Sequence, residues 1–451
     1  MSESCPLPVA EPEVGLKVLK GLARDRSLLT ALEIMRDEVG PAFQITLPGF
    51  QPAVLVGPES NRQIMVSRRD HFRWRGPSDP VTKLLRHGVL VEDGEQHDYL
   101  RAQMEPVLQK PKVVQHIPAM LAYTDRVTAG WADNTVRDML VEMRRLALLI
   151  FMGTLVNVEF GPDIERLWRP ILRAIKYISP GLWIIWPDMP RPGYAAALQR
   201  LDDYLYTVIH QRRREMETGE RHPAATPDNP PAVANDLLTQ LVREPGMTDD
   251  LIRDQILTML IAGHDTSTAL LAWTLHLLTS YPEALAQASA EVDAVIGTAG
   301  ITLDHVDHLE YLDSVIKESL RLYPPIHIGN RFVIDDTTIS GYELKAGTRV
   351  MASIYLAHRD ERFWDEPGAF RPERFGTDGE RVPPFTYLPF GGGPRVCIGA
   401  TFAQVEAKVV LARILQQFTL ESAGRKVHPY MGATLEPHPG VFLRIRRRRH
   451  S

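Results

Sequence analysis

Cysteine is nearly absent from this chain: 451 residues hold only Cys5 and Cys397. A secreted, disulfide-stapled fold uses many more, so a reducing compartment such as the cytoplasm is expected, and Cys397 is free for other chemistry. Cys5 sits in a leader rich in proline and glutamate, residues 1–27, expected to be mobile ahead of one body spanning 28–451. An excess of basic charge is also lacking. Lys and Arg number 51 against 56 Asp and Glu, a net charge of -5, which argues against a nucleic-acid partner because backbone recognition needs a basic face. The start, MSESCPLPVAEPEVG, has neither the basic region nor the apolar core of a signal peptide or membrane anchor. The longest apolar stretch away from the motifs, residues 146–160, is shorter than the ~20 residues of a spanning helix. It carries Gly153, Thr154, Asn157 and Glu159 and reads as a buried core helix. No G-x-G-x-x-G dinucleotide loop occurs.

What is present is an ordinary globular composition, 44% hydrophobic and 24% charged. Residues 42–47 and 53–56 are strand-like, with Pro48-Gly49 suited to the turn between them. From about 97 to 282 the pattern is mostly helical, broken by the proline-rich stretch 217–234, which reads as an exposed loop. A long helix is predicted over 248–280, capped by Thr248-Asp249-Asp250 and stopped by Pro282. It is apolar on nearly all sides, so it should be central and buried. Another helix, 309–322, ends at Tyr323-Pro324-Pro325; strand pairs follow near 331–339 and 349–354, then an irregular stretch 358–399 and a helix over 400–418. A mainly α, helix-rich α+β body with small β-sheets is the expected class.

The sharpest local signal is Phe390-Gly-Gly-Gly393-Pro-Arg395-Val-Cys397-Ile-Gly399. Glycines on both sides let backbone approach a ligand closely. A cysteine just before a helix, with Arg395 beside it, is placed to become a thiolate suited to a soft metal. The bland reading is a small buried hydrophobe. A phosphate cradle would need a different glycine order, and zinc would need a second cysteine or a close histidine pair.

At these residues the chain resembles the cytochrome P-450 superfamily, whose heme-binding signature F-x-x-G-x-R-x-C-x-G is met at Phe390, Gly393, Arg395, Cys397 and Gly399. The resemblance implies a single large fold with heme b held between the central helix and the cysteine loop, and Cys397 as the axial iron ligand. Other motifs follow in order. Glu318-Ser-Leu-Arg321 and Pro372-Glu-Arg374-Phe375 match the segments whose Glu318, Arg321 and Arg374 would form a buried structural triad. Taken alone, Glu and Arg three apart share a helix face and are commonplace. Ala262-Gly263-His264-Asp265-Thr266 matches the oxygen-side helix motif, with Asp265 and Thr266 as the acid–alcohol pair relaying protons. The bland alternative is a Thr266 hydroxyl bonded back to a carbonyl one turn earlier. Thr258, Ala262 and Thr266 would share one stripe toward the heme. His264 is given no ligand role. Gly94-Glu-Gln-His97-Asp-Tyr-Leu-Arg101 resembles an early segment whose His97 and Arg101 would reach heme propionates, with Arg331 and Arg395 completing that set.

The activity implied is a monooxygenase that inserts one atom of dioxygen into a lipophilic small molecule such as a fatty acid, terpenoid or steroid. Electrons would come ultimately from NAD(P)H through a separate ferredoxin or flavodoxin and its reductase. A heme-thiolate peroxygenase or isomerase, and a heme protein without turnover, are the alternatives. The apolar run Leu182-Trp-Ile-Ile-Trp186 is read as a pocket roof ahead of core packing or membrane contact. Segments 72–91, 326–328 and 431–435 match substrate-contact regions by position. The basic tail, Arg444 with Arg446 to Arg449, reads as a solvated end or a docking site for an acidic partner.

Overall fold

The computed structural model describes residues 5–448 apart from 26, 77–78, 182–190, 220–235, 378 and 380. The run Leu182–Trp186, most of 217–234, and Arg449 lie outside the described residues.

The helix Asp249–Ser280 is the axis of the body. The Thr248 hydroxyl oxygen accepts from the Leu251 amide at 3.2 Å, Asp249 and Asp250 occupy the positive first turn, and Pro282 opens the next helix. Met139–Phe151, Tyr194–Thr218, Glu310–Leu322 and Ala400–Gln417 are among the helices that pack against it. Leu257, Leu271 and Leu275 are fully buried in this packing, each contributing about 1.5–3 kcal/mol of burial.

The β structure is small and lies to one side. A five-stranded sheet has the order Ala42–Gln44, Ala53–Leu55, Arg349–Ser353, Ile328–Val333, Phe72–Arg73. The first two strands form the expected hairpin, with Gly49 at φ 75° between them. In the last pair Phe72 faces Val333 and Arg73 faces Phe332, so the chain delivers Trp74 beside Arg331. The segment read as strand over 331–339 divides: Ile328–Val333 stays in this sheet, while Thr337–Ile339 pairs with Tyr342–Leu344 in a separate hairpin.

The two ends compare differently with expectation. Within the supposed mobile leader, Pro12–Asp25 is a helix packed on Leu28–Val39. Gly21 sits where a Cβ would lie 2.7 Å from Ile34, and the Cys5 amide donates to Gly341 O at 3.0 Å. At the other end the strand Phe442–Arg447 is the middle of a three-stranded sheet, between Thr135–Asp138 and Phe418–Ser422. Arg446 pairs with Glu421 at 3.2 Å and Arg448 with Asp293. Arg444 and Arg447 donate to the carbonyls of Asn134 and Trp131. Arg446 and Arg447 stay exposed at the end of this last strand, a solvated end as expected, with their neighbours tied to nearby surface groups.

Candidate active site

The cysteine loop is shaped by its glycines. Gly391 and Gly393 have φ of 72° and 68°, and a Cβ on Gly393 would lie 2.4 Å from Met65 O; only glycine fits there. The loop closes on itself when the Cys397 amide donates to Phe390 O at 2.9 Å. Arg101 Nη1 donates to Val396 O at 2.9 Å and pins the residue before the cysteine. Cys397 carries accessible surface, yet burial is the largest influence on its thiol. Both hold together if the thiol opens into an internal cleft walled by protein. Burial pushes the thiol up; the Gly399 amide and Arg101 oppose this and lose. Arg395, whose charge was expected to favour a thiolate, is engaged by Asp93 and by Glu92 O.

Between Ile252 and Leu275 the central helix is buried at every position except Ala262, Gly263 and Thr266, where the surface is partly open. Thr266 Oγ1 donates to Ala262 O at 2.6 Å. Its neighbour Asp265 turns elsewhere: Thr434 Oγ1 donates to Asp265 Oδ2 at 2.8 Å, and Arg144 lies 3.8 Å from Oδ1. No hydrogen bond joins Asp265 to Thr266 among the described residues. Burial, and then Glu436, raise the Asp265 carboxyl to about 7. His264 is a core histidine, Nε2–H donating to Arg144 O at 3.2 Å while Nδ1 has no partner among the described residues, and its ring is held neutral by burial. One residue beyond Thr266, Ser267 Oγ donates to Glu406 Oε2 at 2.6 Å. This bond fastens the helix that follows Cys397 to the central helix beside its open stripe. Burial raises the Glu406 carboxyl to about 8. Glu406 and Ser267 carry no motif and are invisible until the two helices meet.

Cationic groups gather on the same side of the cysteine loop. Arg331 is 8% exposed, its guanidinium 3.5 Å from the Trp74 ring, and Arg395 approaches that ring at 4.9 Å. Burial, then Arg75 and Arg395, lower Arg331 to about 9. Its printed hydrogen bond is to Asn330 O at 2.7 Å, and among the described residues it makes no ion pair. His97 is buried, hydrogen-bonded to Asp98 at 2.8 Å, and lowered chiefly by burial. Of the four cations expected at this place, Arg331 and Arg395 converge, while Arg101 is turned to Val396 O. Trp74 and Arg75 were not foreseen. A buried guanidinium without a counter-ion is costly, so the donor set suits a ligand bringing carboxylates. A planar metal macrocycle with acidic side arms, such as the heme implied above, fits a thiol at one end and these cations at the other.

The loop's far support is a polar network. Arg321 donates to both Glu318 oxygens at 2.7 Å and to the carbonyls of His358, Pro367 and Ala369. Arg374 Nε lies 3.4 Å from Glu318, and the Arg371 amide donates to Glu318 at 2.9 Å. The structure brings Glu318, Arg321 and Arg374 together, all buried. His358 extends the network: its Nδ1–H donates to Arg321 O, and its Nε2 accepts from the Leu388 amide at 2.8 Å, two residues before Phe390. Burial and Arg321 hold that ring neutral, which the acceptor role requires.

Comparison with known proteins agrees with this arrangement. The family model described as Cytochrome P450 matches residues 7–444. LUTEIN DEFICIENT 5, chloroplastic, of Arabidopsis thaliana is 31% identical over 91% of this chain and 72% of its own length. Cyclooctat-9-en-7-ol 5-monooxygenase of Streptomyces melanosporofaciens is 30% identical over 88% of this chain and 84% of its own. Among solved structures, the cytochrome P450DA heme domain has a TM-score of 0.84 at 26% identity, covering 99% of both chains. The retinoic acid-bound cyanobacterial CYP120A1 has a TM-score of 0.81 at 22% identity, a likeness of fold.

Proposed function

Because the chain belongs to the cytochrome P450 family of heme monooxygenases, we propose that it inserts one oxygen atom from dioxygen into a lipophilic small molecule in the cytoplasm. Electrons come from NAD(P)H through a separate ferredoxin or flavodoxin system. The observation that carries this reading is the open stripe Ala262, Gly263 and Thr266 within the otherwise buried stretch Ile252 to Leu275 of the central helix, fastened through Ser267 and Glu406 to the helix that begins at the cysteine loop. When bound, heme ligated by a thiolate supplies the oxygen activation, the sulfur donating electron density.

The chain's own residues do the rest. Cys397 Sγ would hold the heme metal, and the Phe390 carbonyl and Arg101 fix the loop that carries it. Thr266 Oγ1 is the hydroxyl at the cleft, positioned to pass a proton directly or through one water. Asp265 stores a proton near neutral pH at a carboxyl aimed at Arg144 and Thr434, so a change of rotamer or a water must connect it to Thr266. Gly263 keeps the helix wall thin at this level; a Cβ there would already touch Phe151 at 3.4 Å. The relative named as acting on cyclooctat-9-en-7-ol supports a hydrocarbon-rich substrate. In turnover with reduced ferredoxin, dioxygen and a panel of fatty acids, terpenoids and steroids, product should carry one atom of labelled oxygen gas. Product formed from peroxide but never from reduced partner and oxygen would contradict this reading and favour the peroxygenase.

A further inference from the structure

Trp74 is over-determined in position and unsatisfied in chemistry. The preceding strand Phe72–Arg73 pairs with Val333 and Phe332, and the Trp74 amide donates to Asp93 Oδ2 at 3.0 Å. Two guanidiniums approach its ring, Arg331 at 3.5 Å and Arg395 at 4.9 Å from the centroid. Stacking on two cations fixes the plane of the indole. Yet its Nε1–H is buried with no acceptor among the described residues, and the same is true of Arg75 Nε. Buried indole N–H groups nearly always find a partner.

The local charges sharpen the point. Arg75 lies 3.5 Å from Asp79 and Arg395 pairs with Asp93, which leaves Arg331 as a buried cation with no ion pair of its own among the described residues. An orphaned donor flanking an uncompensated guanidinium is a receptor for one anionic oxygen, two groups deep. Arg395 belongs to both this cluster and the cysteine loop, so the anion must be part of whatever Cys397 ligates.

We propose that Trp74 is a heme-positioning residue whose indole N–H donates to a carboxylate side arm of the heme, beside Arg331. This rests on the heme reading above. The indole does two things there. It completes the hydrogen-bond shell of the carboxylate, and it holds Arg331 and Arg395 apart at fixed distances so that both can face it.

The test uses the heme-loaded protein and its Trp74→Phe variant, which keeps a ring beside the guanidiniums and removes only the donor. Resonance Raman spectra should show the propionate bending band shifted in Trp74→Phe. Transfer of heme to an excess of heme-free globin should quicken by about tenfold, the scale of one charge-assisted hydrogen bond. An unchanged band overturns the proposal even if heme is lost faster. Should Trp74→Phe not fold, Trp74→His, which retains a ring N–H, decides: a band at the wild-type position supports the proposal and a band at an unbonded position overturns it. Wild-type protein that purifies without heme would overturn the functional reading itself, a result distinct from an unchanged band in a loaded variant.

Discussion

Two buried carboxyls beside the open stripe set how this protein should respond to pH. Glu406 titrates near 8 when folded, against about 4.3 in an unfolded chain. The folded state therefore holds the proton more tightly. That contribution is fully present below about pH 4 and is lost as pH rises through the folded value, at most about 1.4 kcal/mol per unit. Asp265, raised to about 7, acts in the same direction over a shorter window. Glu406→Gln should keep a polar partner for Ser267 and remove the titration. Denaturant unfolding across pH 5 to 8 should then fall less steeply with pH in the variant than in the wild type; parallel profiles would assign the pH dependence elsewhere. Neither shift is written in the local sequence, because burial creates both. For the same reason the Cys397 thiol, whose glycine- and arginine-rich setting reads as a thiolate site, is pushed up by burial.

At the scale of elements, the helix Glu310–Leu322 is the hub from which the cysteine loop hangs. Arg321 reaches three carbonyls on the irregular segment after it, and His358 passes the connection to Leu388. Arg321→Lys cannot span a bidentate carboxylate and three carbonyls, and it leaves Glu318 under-paired at 0% exposure. A loss of about 3–5 kcal/mol is expected, measured by chemical unfolding together with the fraction of protein that retains heme. A loss below about 1 kcal/mol, the scale of a surface pair, would show the network to be dispensable. The E-x-x-R pair could be read from the sequence because its spacing is helical. His358 could not, because its partners lie 37 and 30 residues away along the chain. Trp74 was hidden likewise: only the pairing of Phe72–Arg73 with the strand Ile328–Val333 brings it to Arg331.

For the whole molecule, the buried central helix and its Thr248 cap, the hairpin around Gly49 and the final helix were legible because period, capping and turn chemistry are local properties. The N-terminal end was less so. Composition suggested a loose leader, whereas tertiary packing builds Pro12–Asp25 against its neighbour helix. The basic end is solvated as read, though Arg446 and Arg448 also meet Glu421 and Asp293. Among the described residues no helix is long and apolar enough to cross a membrane. The claim that unites these scales is that the fold exists to present one sulfur to a heme iron. Its most direct test is the absorption of the reduced, carbon monoxide-treated protein. The wild type should show a band at about 450 nm, as thiolate-ligated heme does, and Cys397→Ala should lose it; a wild type without the band, or a variant that keeps it, would contradict the assignment of Cys397.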